Sequence, residues 1–274
     1  IYDFSKTPLL TNAAIDFTLS IQKKNGSFDE WYVNESSFVT TSFVVIALSE
    51  TLFLLGRDNV RSYDAALEAI EKGARRIAAE KELMVFNQTA GSALALHNAF
   101  LLTKKSEFWK AAEEKISQVL SGQKSEGWWS EYGGPDIGYL SLMVDYLSKY
   151  HLKTGDKKVL ESLKKTTAFL VNFLHPNYTS GGEYMSRNTE YLIPSGFTVL
   201  AGQDDNSLIT ASFIIEGLRS KKGFSPDNLD DTYLCYILYN WLEAGVFLKK
   251  NQIGFNIEEF LTKREQKNGV LLIC

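Results

Sequence analysis

The residue types best suited to chemistry lie close together in residues 125–146, SEGWWSEYGGPDIGYLSLMVDY, near the middle of the 274-residue chain. Two adjacent tryptophans precede two carboxylates and a tyrosine, and a Gly-Gly-Pro sequence holds the loop between them in a defined shape. Aromatic faces stack on sugar rings, and carboxylates and phenols bond to hydroxyl groups, so the loop suits a polar ligand. The same composition is typical of a helix-hairpin loop whose tryptophans cover the core. The candidate residues of this loop are Trp128, Trp129, Glu131, Asp136 and Tyr139.

Similar side chains occur at other junctions between loops and helices. They are Trp31 in the first loop, Asn87 and Gln88 before the fourth predicted helix, and Glu183, Tyr184, Arg187 and Asn188 in a long loop. Alternate loops of a ring of helical hairpins open at the same end, so we expect Asn87, Tyr139 and Arg187 to line one cleft with Trp128 and Glu131. The alternative is that each side chain serves its own turn. Asn87 would then cap a helix, and Arg187 would pair with Glu183 or Glu190.

The apolar periodicity predicts nine helices that follow one another as hairpins. Their ranges are 7–24, 38–55, 63–82, 90–103, 106–120, 137–153, 157–174, 207–219 and 230–248. Amphipathic helices alternate with more apolar ones, as expected for an outer and an inner layer. The sequence therefore predicts a mainly α protein, an incomplete (α/α) toroid of antiparallel helical hairpins. Residues 175–206, with Gly181, Gly182 and Pro194, predict a long ordered loop with short strands.

Two segments bear on membranes and domains. Residues 38–55 are the only candidate membrane span, but their serines, threonines and glutamate favour a buried inner helix, so no span is expected. Asn268-Gly269 followed by VLLIC predicts a turn into a strand. We therefore predict a toroid domain over 1–254 and a tail, 255–274, that starts a β-domain. Residues 1–10 lack the layout of a signal peptide, and no compartment is assigned.

Composition and motifs exclude several function classes. The net charge of −4 without a basic cluster argues against a nucleic-acid partner. The three histidines are far apart, and no HExxH or CxxC spacing occurs, so no metal site is expected. No GxGxxG, Walker A or GxSxG motif is present, and no cofactor is expected. The two cysteines form no disulfide framework.

Four segments resemble the heparinase II/III-like polysaccharide lyases, between Asn87 and the last residue. FNQTAGSALALHNAFLLT is similar to their asparagine-containing junction, and SEGWWSEYGGPDIGYLSL to their acidic and aromatic loop. GGEYMSRNTEYLIPSGF is similar to a Gly-Gly…Ser-Arg-Asn segment, and NGVLLIC to the start of the β-sandwich that follows their toroid. The resemblance implies a toroid that acts on uronic-acid polysaccharides, with Asn87 or Gln88 neutralising a substrate carboxylate and Tyr139 as catalytic acid/base. The chain departs from it in one respect, because those lyases usually add a histidine near the tyrosine, where Ile137 and Leu140 stand here.

Such a site would work by β-elimination, which removes the proton beside the sugar carboxylate once that charge is masked. Arg187 or an amide could mask it through charge-assisted hydrogen bonds. The base would be Tyr139, and because an isolated tyrosine has a pKa of about 10, it needs a nearby cation, for which we nominate Arg187. Two other classes stay open. A glycoside hydrolase would pair carboxylates from Asp29, Glu131, Asp136 and Glu183. A non-catalytic carbohydrate-binding or polysaccharide-assembly protein would use the aromatic residues alone.

Overall fold

The computed structural model of this protein describes residues 6–80 and 85–251. In this part of the chain the helices are α1 (Thr7–Ile21), α2 (Phe38–Leu55), α3 (Tyr63–Ala79), α4 (Phe86–Thr103), α5 (Ser106–Gly122), α6 (Ile137–Thr154), α7 (Lys157–Leu170), α8 (Ser195–Leu200), α9 (Asp205–Arg219) and α10 (Asp231–Asn251). Short 3₁₀ turns occur at Arg57–Asn59, Val171–Phe173, Gly181–Tyr184 and Pro226–Asn228. Isolated bridges are the sole β-type pairing among these described residues. The predicted mainly α class is confirmed.

The chain divides into two compact units, Ile1–Ser121 and Gly122–Cys274. In the first unit α2 packs against α3 and α4, α3 also contacts α4, and α1 lies on α3. The side-chain amide of Asn98 on α4 donates to Ser49 Oγ at 3.0 Å and to Glu50 Oε1 at 2.8 Å on α2. These two bonds tie the most apolar helix of this unit to its neighbour from within the core.

Helix α2 starts and ends where the sequence predicts, but it is not buried all round. Val45 and Leu52 are enclosed, whereas Leu54 is 75% exposed and Phe53 is 38% exposed. The prediction of full burial is therefore wrong for the last turn, which extends beyond the face covered by α3 and α4. The length of α2 and its mean hydropathy of 2.0 also suffice for a membrane-crossing helix. The expectation of no membrane span stays a prediction.

In the second unit α6 packs against α7 and α8, and α8 also contacts α10. Helix α9 contacts α7 and α8. Helix α6 is buried along most of its length, and its Leu140, Met143 and Leu147 side chains have no exposed area. The central loop therefore leads directly into an enclosed helix.

The long loop predicted over 175–206 contains helical rather than extended structure. A 3₁₀ turn forms at Gly181–Tyr184, and α8 follows directly after Pro194. The six residues of α8 are all buried and start after a proline, a position that the local sequence marks as loop. Helix α4 begins at Phe86, so Asn87 and Gln88 lie in its first turn and not before it. The predicted tail, 255–274, lies outside the described residues, and the domain division at 254 stays a prediction.

One turn recurs in both units and fixes the start of the candidate loops. After α1, Lys23 N donates to the Ser27 carbonyl at 3.0 Å and Gly26 N donates to the Lys23 carbonyl at 2.9 Å. After α5, the corresponding bonds join Lys124 N to the Trp128 carbonyl at 2.8 Å and Gly127 N to the Lys124 carbonyl at 2.9 Å. Both glycines have positive φ, +87° and +104°, which favours glycine over any other residue.

The side chain that precedes each turn ties it to the following amphipathic helix. Gln22 Nε2 donates to the Gly26 carbonyl at 3.0 Å and to the Ala69 carbonyl of α3 at 2.9 Å. Gln123 Nε2 donates in the same way to the Gly127 carbonyl at 3.1 Å and to the Ser162 carbonyl of α7 at 2.9 Å. The sequence Gln-Lys-x-x-Gly is therefore the signature of a repeated structural unit, and it anchors the two aromatic loops to their supporting helices.

Candidate functional site

The paired tryptophans of the central loop have different environments. Trp129 has no exposed area and belongs to the core. Trp128 is half-buried, its ring centroid lies 6.4 Å from that of Phe169, and its Nε1 donates to Glu126 Oε2 at 2.9 Å. Trp129 therefore offers no exposed ring face, and its predicted contact with substrate stays a prediction. Trp128 keeps part of its surface accessible.

Asp136 is the structural anchor of the central loop. It is fully buried and caps α6 by accepting a hydrogen bond from Tyr139 N at 3.1 Å. The same carboxylate accepts from Arg187 N at 3.0 Å and from the Thr189 hydroxyl, more than fifty residues along the chain. Both carboxylate oxygens are thus occupied by protein donors. Asp136 therefore holds the backbone beside the two candidate catalytic residues, and its predicted contact with a ligand stays a prediction.

A segment that we name the strap, residues 186–191, lies across the central loop. Ser186 N donates to the Pro135 carbonyl at 3.2 Å, and Gly138 N donates to Thr189 Oγ1 at 2.9 Å. A Cβ on Gly138 would overlap the Thr189 side chain, so glycine is needed where the strap meets the first turn of α6. The strap brings Arg187 to the beginning of α6, where Tyr139 lies.

Arg187 and three tyrosines form what we call the Tyr–Arg cluster. The guanidinium carbon of Arg187 lies 4.2 Å from the ring centroid of Tyr132 and 6.0 Å from that of Tyr139. Tyr191 packs edge-on against Tyr139 at 6.5 Å between centroids. A hydrogen bond to the Tyr139 side chain is the largest cause of an Arg187 pKa raised above its ordinary value. The predicted proximity of a cation to Tyr139 is present in the structure.

The cluster is open to solvent on one side. Tyr132 is 50% exposed, Arg187 is exposed, and Tyr139 is half-buried. Tyr132 was not predicted as a site residue, although it lies in the central loop. The Gly-Gly sequence after Tyr132 could have indicated that this residue lies in a tight turn. In the structure Tyr132 has a positive φ of 56°, and Gly133 follows with a φ of 103°. That backbone conformation is part of the loop that places its ring against Arg187.

The remaining predicted residues of the second unit lie in different environments. Glu131 has no exposed area, and its backbone N donates to the Gly134 carbonyl at 2.7 Å across a tight turn. Glu131 is thus enclosed, and its predicted contact with substrate stays a prediction. Glu183 and Asn188 are exposed, and Tyr184 is 61% exposed with its hydroxyl 2.9 Å from His175 Nε2.

Three predicted residues belong to the first unit. Asn87 is 3% exposed in the first turn of α4, Gln88 beside it is half-buried, and Trp31 is 77% exposed at the tip of the first loop. The tip is held from below by carboxylates: Glu35 Oε2 accepts from Trp31 N at 2.9 Å, and Asp29 Oδ2 accepts from Asn34 N at 2.9 Å. The predicted common cleft of Asn87 with Tyr139 and Arg187 stays a prediction.

A buried ionic group in the second unit consists of Asp145, Lys149 and Glu243. Asp145 on α6 accepts from Lys149 Nζ at 2.7 Å, from Asn240 Nδ2 at 3.1 Å and from the Ser195 hydroxyl. Lys149 Nζ also lies 2.7 Å from Glu243 Oε2 on α10. Burial would lower the pKa of Lys149, but the two carboxylates outweigh it and raise that pKa. The group joins α6, α8 and α10. Among the described residues, no set of three or more His, Cys, Asp or Glu side chains is grouped to hold a metal ion.

Comparison with known proteins identifies the fold. No family model matches the chain, and no curated protein sequence is significantly similar to it. Solved structures with the same fold are α/α toroids that act on carbohydrates. The predicted (α/α) toroid is therefore confirmed.

Three similar structures illustrate this class. The α-1,6-mannanase GH76A of Salegentibacter sp. HEL1_6 superposes with a TM-score of 0.58 at 13% identity, over 76% of this chain and 70% of that one. An unsaturated glucuronyl hydrolase specific for heparin has a TM-score of 0.53 at 13% identity, over 90% of this chain and 98% of that one. The cellobiose 2-epimerase of Spirochaeta thermophila DSM 6192 has a TM-score of 0.52 at 12% identity, over 90% and 73%. At these identities the likeness establishes the fold and not the reaction, and the lyase assignment stays a proposal.

Proposed function

We propose that this chain is a carbohydrate-active protein that binds an acidic sugar at the Tyr–Arg cluster and cleaves it by β-elimination. The observation that carries the proposal is the exposed guanidinium of Arg187 beside the rings of Tyr132 and Tyr139. A guanidinium recognises a carboxylate in a bidentate manner, and neighbouring aromatic rings offer faces for a sugar. The three solved structures support the carbohydrate class, because each bears the name of an enzyme of sugars.

The proposed reaction assigns one step to each residue. Arg187 bonds to the sugar carboxylate and offsets the charge that develops when the neighbouring carbon loses its proton. Tyr139 accepts that proton, a carbon–carbon double bond forms, and the bond to the leaving oxygen breaks as Tyr139 passes the same proton to this oxygen. The guanidinium carbon of Arg187 lies 6.0 Å from the Tyr139 ring centroid, so one cation lies close to both the proposed base and the proposed carboxylate position. The role that the resemblance implies for Asn87 or Gln88, neutralising a substrate carboxylate, stays a prediction.

A glycoside hydrolase is the second candidate, and the fold of the mannanase and the glucuronyl hydrolase favours it. It would require two carboxylates with access to the sugar. Glu131 and Asp136 are buried, so Glu183 and Asp29 are the candidates that keep exposed surface. A non-catalytic sugar-binding protein is the third, and it would need only the aromatic rings and Arg187.

The deciding experiment compares products. The purified chain is incubated with polygalacturonate, alginate, heparin and α-1,6-mannan, and both the ultraviolet absorbance of an unsaturated sugar and new reducing ends are measured. Absorbance together with reducing ends supports elimination. Reducing ends without absorbance support the hydrolase, and binding without either product supports the non-catalytic protein.

Variants then test the assigned roles. Tyr139→Phe should lower kcat by about 10²–10⁴-fold and change KM much less, because a proton-transfer group acts in the transition state. Arg187→Ala should lower kcat and raise KM, since it holds the carboxylate before and during reaction. Arg57 and Tyr63 form a matched control, because that guanidinium lies 4.5 Å from a tyrosine ring centroid at the surface of the first unit. Wild-type kinetics in Tyr139→Phe would refute its role as base.

A further inference from the structure

His175 and Tyr184 form a second hydrogen-bonded pair near the strap, separate from the Tyr–Arg cluster. Tyr184 Oη lies 2.9 Å from His175 Nε2, and the two rings stack with centroids 5.9 Å apart and an interplanar angle of 30°. The other imidazole nitrogen, Nδ1, lies 2.8 Å from Thr179 Oγ1. Tyr184 is 61% exposed, so the pair lies at the surface of the protein.

The neighbouring hydrogen bonds determine which nitrogen of His175 carries the proton. Thr179 N donates to Asn177 Oδ1 at 3.2 Å, and since a backbone N–H can only donate, this atom of Asn177 is the oxygen. The Thr179 hydroxyl donates its single proton to the same oxygen at 2.8 Å. Thr179 Oγ1 must then accept from His175 Nδ1–H. The neutral imidazole therefore presents a bare Nε2 to Tyr184, whose hydroxyl donates to it.

Gly181 and the turn at His175 allow this contact. A Cβ on Gly181 would overlap the Tyr184 hydroxyl, so glycine is needed for the phenol to reach the imidazole. His175 N donates to the Thr179 carbonyl and Tyr178 N to the His175 carbonyl, both at 3.0 Å. These two hydrogen bonds have the same spacing along the chain as those of the turns at Gly26 and Gly127, so the backbone that carries the imidazole forms the same kind of turn.

We propose that Tyr184 and His175 are a proton-transfer pair that serves an oxygen atom of a bound carbohydrate. The Tyr184 phenol gives its proton to His175 Nε2 and takes one from a ligand hydroxyl, so the net change is one proton from ligand to imidazole. The reverse transfer would protonate a leaving sugar oxygen. Tyr184 touches the ligand, and His175 and Thr179 are positioning residues. The assignment of the pair and its tautomer rests on its own hydrogen bonds. Its action on a sugar rests on the proposed function.

The tautomer is tested without any ligand. Two-bond ¹H–¹⁵N spectra of histidine-labelled protein, with His175→Gln to assign the signals, should show His175 protonated at Nδ1. Free histidine favours the Nε2–H form, so the expected result differs from the default. Thr179→Val removes the acceptor and should return His175 to the default form. An Nε2–H tautomer in the wild-type protein would overturn the proposal.

Proton transfer is tested with a small electrophile. N-acetylimidazole acetylates phenol oxygens, and peptide mass spectrometry can follow Tyr184 beside Tyr32, which is 76% exposed. General base assistance should make Tyr184 react at least about tenfold faster than Tyr32. Gly181→Ala and His175→Gln should both remove that excess. Equal or slower acetylation of Tyr184 in the wild-type protein would refute proton transfer by this pair.

Sugar kinetics then separate this proposal from the proposed function. On a polysaccharide that the wild-type protein cleaves, Tyr184→Phe should lower kcat by about 10²-fold or more with a smaller change in KM. Tyr239→Phe is the control, because that hydroxyl bonds to Glu243 at 3.0 Å and not to an imidazole. Cleavage at the wild-type rate by Tyr184→Phe would overturn its catalytic use. If the wild-type protein cleaves no sugar, the proposed function fails, and the spectra and acetylation still decide whether the pair exists and transfers a proton.

Discussion

Replacing Asp136 with asparagine should destabilise the second unit and detach the strap from α6. The carboxylate uses both oxygens: Oδ1 accepts from Tyr139 N at 3.1 Å and from Thr189, and Oδ2 accepts from Arg187 N at 3.0 Å. An asparagine keeps one acceptor oxygen and turns an NH₂ toward the donor that faced the other. Losing one hydrogen bond to a charged acceptor and weakening two others should cost roughly 2–4 kcal/mol.

Asp204 provides a matched control, because it caps α9 with a single oxygen. Its Oδ2 accepts from Ser207 N at 2.8 Å, from Ser207 Oγ at 2.7 Å and from Thr167 Oγ1 at 2.8 Å. An asparagine at this position can keep that oxygen and turn its NH₂ away. Because aspartate and asparagine cap helices about equally well, Asp204→Asn should cost at most about 1 kcal/mol.

Urea unfolding of both variants measures the difference. The midpoint of Asp136→Asn should fall well below that of Asp204→Asn with the slope m unchanged, since the same surface is exposed on unfolding. The folded Asp136→Asn protein should also lose the juxtaposition of Arg187 and Tyr139, and kcat on a cleaved polysaccharide should fall. If the two variants differ by less than about 0.5 kcal/mol, the carboxylate does not bridge the loop and the strap, and this account of the site is refuted.

Two further predictions concern the loops that support the site. Gly127→Ala should lower the free energy of unfolding by about 2–4 kcal/mol, because an added Cβ would overlap the Lys165 carbonyl. Gly133 has nearly the same φ but open space around it, so Gly133→Ala should lower that free energy by only about 1–2 kcal/mol. Thermal unfolding of the two variants checks the difference, and equal losses of stability would contradict it. Hydrogen bonds from Lys23 and from loop amides lower the pKa of Asp29 from 3.8 to about 2. A folded-state pKa below the unfolded one contributes stability that is present above pH 3.8 and lost as the pH falls toward 2. The stability gap between wild type and Asp29→Asn should therefore close over that window in acid unfolding, and a constant gap would exclude this role.

The helical part of the fold was predictable because apolar periodicity is a local property of the sequence. Helix α2 matches its predicted bounds, and the other long helices differ from theirs by a few residues at their ends. Helix α8 escaped prediction because its six residues are too few for a period to appear, and they follow Pro194. It is helical through tertiary packing against α6 and α10, which sequence periodicity does not report.

The candidate site was only partly predictable, because burial of loop residues depends on partners far along the chain. Tyr139 and Arg187 were nominated as a pair, and the structure places them together, although their chemical roles remain untested. Asp136 and Glu131 were nominated as ligand contacts, yet both are fully enclosed. The donors that occupy Asp136 come from residues 187 and 189, so no local pattern could show that its oxygens were already used.

The distribution of accessible groups also bears on which chemistry the site favours. Within the described part of the second unit, the central loop uses Asp136 to hold backbone amides, and Glu131 is enclosed with it. The groups that this loop and the strap present to solvent include the Tyr132 ring, the Arg187 guanidinium and the acidic residue Glu190, and Tyr139 is half-buried. A displacement at a sugar carbon by paired carboxylates needs two free acids, whereas elimination needs a cation for the substrate charge and a phenol to move one proton. The proposed elimination would therefore depend on Arg187 and Tyr139, whereas hydrolysis would depend on exposed carboxylates such as those of Glu183 and Glu190.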